Sequence, residues 1–353
     1  TGKELENRHV TNMSEALRNV PGVYQQVSGT GYGYESSNAI RIRGTKNVQS
    51  LVAGMSMVMP TASSYVIPTV GFQNIDSIGQ VEVLEGAASS LYGSDAVGGV
   101  INVITAKPKE GVKTKVRLMG GSYNQEQYGV MNEGRQDNLY WRASYVKNHM
   151  GDFRDAEGNN FAQSNQSHTA SFMIGDEIDA NNDVRLNFDT YRANVKYGNY
   201  LGSSTVRNGH RSYDSYRAIW NNKINDNLKH SFHVGRNEYK TSRDYTFATR
   251  HIMVGDQVTY EKGKHTIVGG FDWDQYNSID NGDGGNYVKI TNTAYYVQDA
   301  YKIAPKWTVT PGVRIDHHSA FGTHTSPHMS VGYDVNNKTN VYVAYNKFFV
   351  APS

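Results

Sequence analysis

The chain has 353 residues, with 35 Lys and Arg against 33 Asp and Glu, 25 Tyr and no Cys. A formal net charge of +2 gives no basic excess for nucleic-acid binding, and the lack of Cys excludes a disulfide scaffold, a thiolate zinc site and a Cys nucleophile. With 38% hydrophobic residues, the chain has no apolar run long enough for a membrane helix, although a β-barrel crosses lipid with alternating residues.

The first part of the chain, to about residue 110, has the pattern of a mixed α+β domain. In NMSEALRNVPGV, Asn12 and Glu15 have the spacing of a capping box, and Pro21 with Gly22 ends the predicted helix. Short apolar runs follow at 39–42, 50–53, 80–84 and 100–105, separated by stretches rich in Gly, Ser and Asn. We expect a small compact domain with long loops.

From Val112 onward, apolar and polar residues alternate. Val184, Leu186 and Phe188, for example, are interleaved with polar residues, which predicts a strand with one apolar and one polar face. We count about thirteen such strands up to Phe349, each of roughly nine to twelve residues, which fits tilted membrane strands better than the shorter strands of soluble sheets.

Short and long connections alternate between these strands. Short ones are expected at 135–138, 176–183, 225–227, 262–264, 303–306 and 336–338, and long ones at 149–166, 195–211, 240–251, 277–289 and 318–325. The connection at 122–125 is short and departs from the pattern. Short periplasmic turns and long external loops are typical of outer-membrane barrels. The 25 Tyr suit the aromatic girdles of such barrels, with a Tyr-rich soluble β protein as the alternative.

Three sequence motifs resemble the plug domain of TonB-dependent outer-membrane receptors. They are ALRNVPGVYQQ, then IRIRG at 40–44, then VEVLEGAASSLYGSDAVGGVINVITAKP at 81–108. The terminal NKFFVAPS is similar to a motif that these receptors carry near the middle of the barrel. The resemblance therefore extends over the whole chain.

The resemblance implies a mainly β fold, with an N-terminal α+β plug domain at 1–111 and an antiparallel transmembrane barrel from 112 to 353. The family closes about 22 strands, so about nine more are expected beyond those counted. A signal peptide and a coupling segment are expected upstream of Thr1, where neither Met nor a signal segment is present. The chain is thus expected to be part of a longer protein, located in the outer membrane of a Gram-negative-type bacterium.

The implied function is active uptake of an iron siderophore or a similar scarce nutrient, without enzymatic chemistry. The implied partners are TonB with its inner-membrane energising complex, an iron chelate or cobalamin as ligand, and outer-membrane lipid. The alternatives are a cobalamin or haem receptor of the same family, and a structural or adhesive barrel that has lost coupling. A secreted soluble β enzyme is a further alternative, but Walker, His-Glu-x-x-His and Gly-x-Ser-x-Gly signatures are absent.

Two arginines of the IRIRG motif, Arg41 and Arg43, are expected to latch the plug to the barrel. They alternate with Ile40 and Ile42, so both guanidinium groups lie on one face of a strand. In the family, arginines at this position meet glutamates of the barrel wall. A second family arginine is replaced here by Glu85, and the barrel partners are expected beyond Ser353.

Family geometry places three plug loops at the external pocket. The candidate ligand contacts there are Tyr32, Tyr34, Lys46 and Tyr65, with plain packing of the plug as the alternative. In the long loops, aromatic faces and cationic side chains suit a bulky anionic chelate. The candidates there are Tyr197, Tyr200, Arg207, Arg211 and Tyr245, with solvated loop residues as the alternative.

No cofactor is required by this interpretation, but two features suggest metals. The loop DNGDGGN could wrap Ca²⁺ with the carboxylates of Asp280 and Asp283, although its spacing favours a plain acidic turn. The pair His317 and His318 suggests that the protein could ligate haem, but nothing else in the sequence supports this.

Overall fold

A computed structural model describes residues 1–25, 40–45, 48–60, 66–68, 74–86, 88–93, 96–154, 158, 160–161, 164–197, 207–242, 246–280 and 286–351. The part before residue 111, here called the plug region, contains three short helices and eight strands among these residues. They are α1 (Gly2–Asn7), α2 (Met13–Leu17), β1 (Val23–Gln25), β2 (Ile40–Ile42), β3 (Val48–Val52), β4 (Met55–Ser56), β5 (Val58–Pro60), β6 (Val66–Pro68), β7 (Ile78–Glu85), α3 (Ser89–Tyr92) and β8 (Gly99–Thr105), with a 3-10 turn at Ile75–Ser77.

The plug region is built on a four-stranded sheet in the order β4-β3-β8-β7. Strands β3 and β8 are parallel, while β4 and β7 are antiparallel to their neighbours. The predicted cap of α2 is present, since the amide of Glu15 donates to Oδ1 of Asn12 at 3.0 Å. The Glu15 carboxylate in turn accepts from the amide of Thr11 at 2.8 Å, so it reaches one residue further back than a capping box requires.

The rest of the chain forms one 13-stranded antiparallel sheet, here called the wall, in which the strands follow chain order. Its strands are β9 (Gly111–Gly121), β10 (Gln125–Gln136), β11 (Leu139–Met150), β14 (Asn165–Asp179), β15 (Asn182–Tyr197), β16 (Arg207–Asn225), β17 (Leu228–Ser242), β18 (Thr246–Lys262), β19 (His265–Asp280), β20 (Asn286–Ala304), β21 (Trp307–His318), β22 (Gly322–Asn336) and β23 (Thr339–Asn346). A separate hairpin, β12 (Phe153–Arg154) with β13 (Asn160–Phe161), follows β11. The predicted fold class and strand number are confirmed.

Eight of the thirteen wall strands are longer than predicted, reaching 19 residues in β16 and β20, whereas β9, β10, β11 and β21 have 11 or 12 residues as predicted. All six predicted short turns are present, but the long connections are shorter than expected. Only 243–245 separates β17 from β18, and only 319–321 separates β21 from β22. The prediction of a loop over 240–251 was therefore wrong, because polar residues there continue the ladder and satisfy their backbone groups by pairing.

The wall wraps the plug region, and the main apolar core lies between the two. Ile42, Val52 and Met57 of the plug region pack in one cluster with Tyr191 and Tyr213 of the wall. Because alternate residues of a strand point to opposite faces, these tyrosines define the inner face of the wall. The outer face carries exposed apolar side chains, among them Val116, Leu118, Phe172, Leu186, Tyr216 and Val234. Among the described residues, no helix is long and apolar enough to cross a membrane.

Candidate functional site: the interface between plug region and wall

One group of contacts joins the tip of the plug sheet to β16 and β17. Asn237 is fully buried, and its Nδ2 donates to the main-chain oxygen of Ser56 at 3.1 Å. The hydroxyl of Tyr213, also fully buried, donates to Oδ1 of Asn237 at 3.3 Å and lies 3.9 Å from Sδ of Met57. Both Asn237 amide atoms thus have partners, which lets a polar side chain sit in this core.

A second group of contacts is ionic and lies on β9. Arg117 binds the Asp76 carboxylate with two nitrogens, Nη2 at 2.6 Å and Nε at 3.0 Å, and its Nη1 donates to the main-chain oxygen of Val10 at 3.2 Å. Lys115 lies 3.0 Å from the Glu6 carboxylate and 3.5 Å from that of Asp76. The hydrogen bond from Lys115 is the main reason why the pKa of Glu6 is below its usual value.

A third group consists of two wall arginines that hold main-chain oxygens of the plug region. Arg142 of β11 donates to the oxygens of Ser77 at 3.3 Å and Ala106 at 2.8 Å, and its charge is balanced by Glu133. Arg314 of β21 donates from Nη1 to the oxygen of Leu91 at 3.2 Å. Both side chains are buried, at 5% and 3% exposure.

Arg314 is held in a cage of acidic side chains. Its Nη1 lies 2.8 Å from Asp272 and its Nε lies 3.0 Å from Asp316. Its Nη2 would lie only 3.4 Å from a Cβ added at Gly93, whose φ of +82° also disfavours other residues. The arginine therefore approaches the backbone after α3 at a position suited to glycine.

The two latch candidates make contacts within the plug region. Nε of Arg43 lies 2.8 Å from the Glu85 carboxylate, and Nη1 of Arg41 donates to the main-chain oxygen of Gly44 at 3.3 Å. Glu85, the residue that replaces a family arginine, is thus the partner of Arg43. The described residues place no wall residue in an ion pair with either arginine.

Most predicted ligand contacts lie outside the described residues, namely Tyr32, Tyr34, Lys46, Tyr65, Tyr200 and Tyr245, together with Asp283 of the proposed calcium loop. Tyr197, Arg207 and Asp280 end or begin wall strands, but their side chains also lie outside what the structure describes. Arg211 is on β16, two residues from Tyr213, so it faces inward near the plug region. It is the one predicted loop contact whose side chain can be placed.

The histidine pair does not form a joint ligand set. His317 and His318 are consecutive on β21 and therefore point to opposite faces of the wall. Nδ1 of His317 lies 2.9 Å from the Thr323 hydroxyl, while Nδ1 of His318 accepts from the amide of Ala320 at 3.2 Å. Within the described part of the chain, no group of three or more His, Asp or Glu could hold a metal ion.

The sequence interpretation missed the wall residues that hold the plug region, Arg117, Arg142 and Arg314. Each lies on a strand with clear alternation, so its inward direction could have been inferred from the outward apolar residue next to it, which is Val116, Ala143 or Ile315. The partners of these arginines could not have been inferred, because the paired residues are 36 to 223 positions apart in the sequence.

Comparisons with known proteins agree with this architecture. The model of the TonB-dependent receptor plug domain matches residues 1–100. The model of the TonB-dependent receptor-like β-barrel matches residues 116–353.

The chain is similar over its whole length to the vitamin B12 transporter BtuB of Photobacterium profundum, with 26% identity, and it spans 59% of that relative. Similarity to the iron-regulated outer membrane virulence protein of Vibrio cholerae is 24% identity over 92% of the chain and 52% of the relative. The crystal structure of the siderophore receptor PirA from Pseudomonas aeruginosa superposes with a TM-score of 0.79 at 20% identity, over 100% of this chain and 62% of that one.

The match to the barrel model alone covers more than half of the chain. It confirms the resemblance, the outer-membrane location and the prediction that the chain is not an enzyme. The chain belongs to the TonB-dependent receptor family.

Proposed function

We propose that this chain is part of a receptor that takes up a scarce nutrient actively, with energy supplied through TonB. The supporting observation is how the plug region is held. Its contacts with the wall are hydrogen bonds, ion pairs and packing, made by Arg117, Arg142, Arg314 and Asn237. Such contacts break one at a time under a pulling force and re-form afterwards, which a movable plug needs.

The first ligand candidate is a ferric siderophore. Arg211 faces inward near the outer end of the wall, where a cationic side chain suits an anionic iron chelate. The contacts that we propose besides Arg211 are Tyr32, Tyr34, Lys46 and Tyr65 in the plug region and Tyr197, Tyr200, Arg207 and Tyr245 in the wall connections.

Cobalamin is the second candidate, and the names of the vitamin B12 transporters similar to this chain favour it. Calcium bound through Asp280 and Asp283 belongs with this alternative. Haem is the third candidate.

A role of Arg41 and Arg43 in latching the plug also remains a proposal, in which their barrel partners lie beyond Ser353.

Ligand binding to the full-length receptor in detergent tests the ligand class. Quenching of Tyr and Trp fluorescence is measured with ferric enterobactin, cyanocobalamin and haemin. Saturable quenching by one of them identifies the class, and Arg211→Gln should then weaken binding of an anionic chelate more than that of cobalamin. A folded receptor that binds none of the three contradicts all three ligand proposals.

A cross-link between Glu6 and Lys115 tests energy coupling. The chain has no Cys, so Glu6→Cys with Lys115→Cys adds one reactive pair at side chains whose charged atoms are 3.0 Å apart. Joined by a short bis-maleimide, this variant should still bind ligand but should not transport it in cells. Each single-Cys variant, treated with the same reagent, is the control. Transport by the cross-linked receptor would contradict a mechanism in which the plug moves. Failure of the receptor without the cross-link to transport any ligand would instead favour the structural or adhesive alternative.

A further inference from the structure

Five residues form one continuous row across five neighbouring strands of the wall, and four of them are of basic type. Lys147 pairs with His168, His168 with Arg192, Arg192 with Ser212, and Ser212 with Lys240. Adjacent strands are about 4.8 Å apart, so the row, here called the basic row, is roughly 19 Å long.

The basic row lies on the outer face of the wall. Ala193, Tyr213 and Tyr239 belong to the core that contacts the plug region, so they point inward. Arg192, Ser212 and Lys240, next to them in sequence, point outward. On β11 and β14 the same alternation applies, because Arg142 contacts the plug region and Ser167 is buried.

The basic row borders an apolar belt. The belt includes Phe172, Phe188 and Tyr216, which are paired across three neighbouring strands and face outward. On each strand they lie four residues from the basic row, in the direction of the short turns. Phe172 and Tyr216 are 48% exposed. Between the two rows, Tyr145 stacks with His168 at a centroid distance of 6.2 Å. In outer-membrane barrels the short turns are periplasmic, so the basic row lies at the external edge of the lipid-facing belt.

The charges of the basic row are only partly balanced. Arg192 pairs with Asp214 at 2.8 Å. Lys147 and Lys240 are exposed and have no ion pair among the residues that the structure describes. In the rows nearer the short turns, Arg236 and Arg250 share the single carboxylate of Glu238. The patch therefore has a positive excess.

The same side chains line a groove of about 460 Å³ on this face. Besides the basic row, its lining includes the polar residues Gln166, Asn194 and His210. These side chains provide hydrogen-bond donors next to the cations, which suits an anion with several oxygen atoms.

We propose that the basic row binds the phosphate groups of anionic lipids in the outer leaflet of the outer membrane. Lys147, Arg192 and Lys240 attract the phosphates, and the acyl chains then lie along the apolar belt formed by Phe172, Phe188 and Tyr216. Basic side chains at the edge of a lipid-facing surface attract anionic headgroups in this way. A soluble anion is less suited to the site, because the apolar belt directly beside it would face lipid.

Native mass spectrometry of the full-length receptor in non-ionic detergent tests the proposal. The probe is bis-phosphorylated lipid A, compared with dephosphorylated lipid A and with inorganic phosphate. The variant is Lys147→Gln with Lys240→Gln. The matched control is Lys264→Gln with Lys302→Gln, which removes two exposed lysines near the short turns that have no ion pair in the described part of the chain.

We expect the native receptor and the control to retain the bis-phosphorylated lipid, and the basic-row variant to bind it about 30-fold more weakly. The proposal would be overturned if the native receptor retained dephosphorylated lipid A as well as bis-phosphorylated lipid A. It would also be overturned if the basic-row variant and the control variant bound bis-phosphorylated lipid A equally. Binding of inorganic phosphate as tight as that of the lipid would mean a soluble-anion site instead. All surface variants should keep native ligand binding and the native mobility of unheated protein in gels, so a loss of lipid is separable from misfolding and from the transport proposal.

Discussion

Arg314 of β21 donates a hydrogen bond to the main-chain oxygen of Leu91 at 3.2 Å, although the two residues are 223 positions apart. The contact links the far part of the wall to α3 of the plug region. The guanidinium is 3% exposed and is also the partner of Asp272 and Asp316. A single buried cation therefore supports both the wall and the docked plug.

Replacement of Arg314 by Met should destabilise the receptor by about 3–5 kcal/mol, because the buried carboxylate of Asp316 and the partly buried one of Asp272 lose their partner. The measurement is urea unfolding of the full-length receptor in detergent, followed by Trp fluorescence. Arg236→Met is the control, since Arg236 is outward and 47% exposed, and its loss should cost about 1 kcal/mol or less. Equal effects of the two variants would contradict a special role for the buried arginine.

Replacement of Asp76 by Asn should loosen the plug region where it meets β9. Asp76 is 6% exposed and accepts two hydrogen bonds from Arg117, so the expected cost is about 1.5–3 kcal/mol. Hydrogen exchange of the amides of 75–77 measures the local opening and should become faster. Glu4→Gln alters an exposed carboxylate of α1 and should leave this exchange unchanged. Unaltered exchange in Asp76→Asn would show that the ion pair does not hold the plug region.

The overall fold could be predicted because its signals are local. The number of wall strands followed from the alternation over each strand. The six short turns followed from Gly, Asn or Asp in five of them and from Pro305 in the sixth. The lengths of the external connections were overestimated because polar stretches were interpreted as loops. In fact Glu238 and Arg250 pair across β17 and β18 in a ladder that continues beyond the apolar belt.

The candidate site was harder to predict because it depends on how the wall closes around the plug region. IRIRG correctly indicated a strand, which is β2 (Ile40–Ile42), but the prediction that both arginines lie on it was wrong: Arg43 is in the turn that follows, with a φ of 51°, and meets Glu85, 42 positions further on. Whether Arg43 pairs with Glu85 or with a carboxylate of the wall depends on which is closer in the folded protein. The alternation of residues along a strand gives no information about that distance. Arg142 and Arg314 were overlooked for the same reason.

The contact of α1 with β9 should weaken at low pH. Because the pKa of Glu6 is lowered in the folded protein, its contribution is present above the unfolded-state pKa of about 4.3 and is lost as the pH falls through the lower folded value. Glu6 is 60% exposed, so the contribution is about 0.2–1 kcal/mol. Asp76, whose carboxylate lies 3.5 Å from Nζ of Lys115, is a second acidic partner of this lysine.

Spin labels on Lys3→Cys and Lys113→Cys measure this contact in a chain with no other Cys. The distance distribution should broaden between pH 7 and pH 3. With Glu6→Gln added, it should be broader at pH 7 and change less with pH, whereas Glu4→Gln should behave like the parent. A pH response that is the same with and without Glu6 would assign it to other carboxylates.

Close packing of the wall itself can be tested at Gly175 of β14. A Cβ there would lie 2.2 Å from the ring of Tyr140, which is 1% exposed and whose hydroxyl donates to Asp183 at 2.7 Å. The ring cannot move away without losing that hydrogen bond, so Gly175→Ala should destabilise the receptor by about 1–3 kcal/mol. Gly332→Ala, on β22, is the matched control because its Cβ would have no neighbour closer than 3.7 Å. Urea unfolding of both variants measures the difference, and equal stability of the two would mean that Tyr140 shifts without cost.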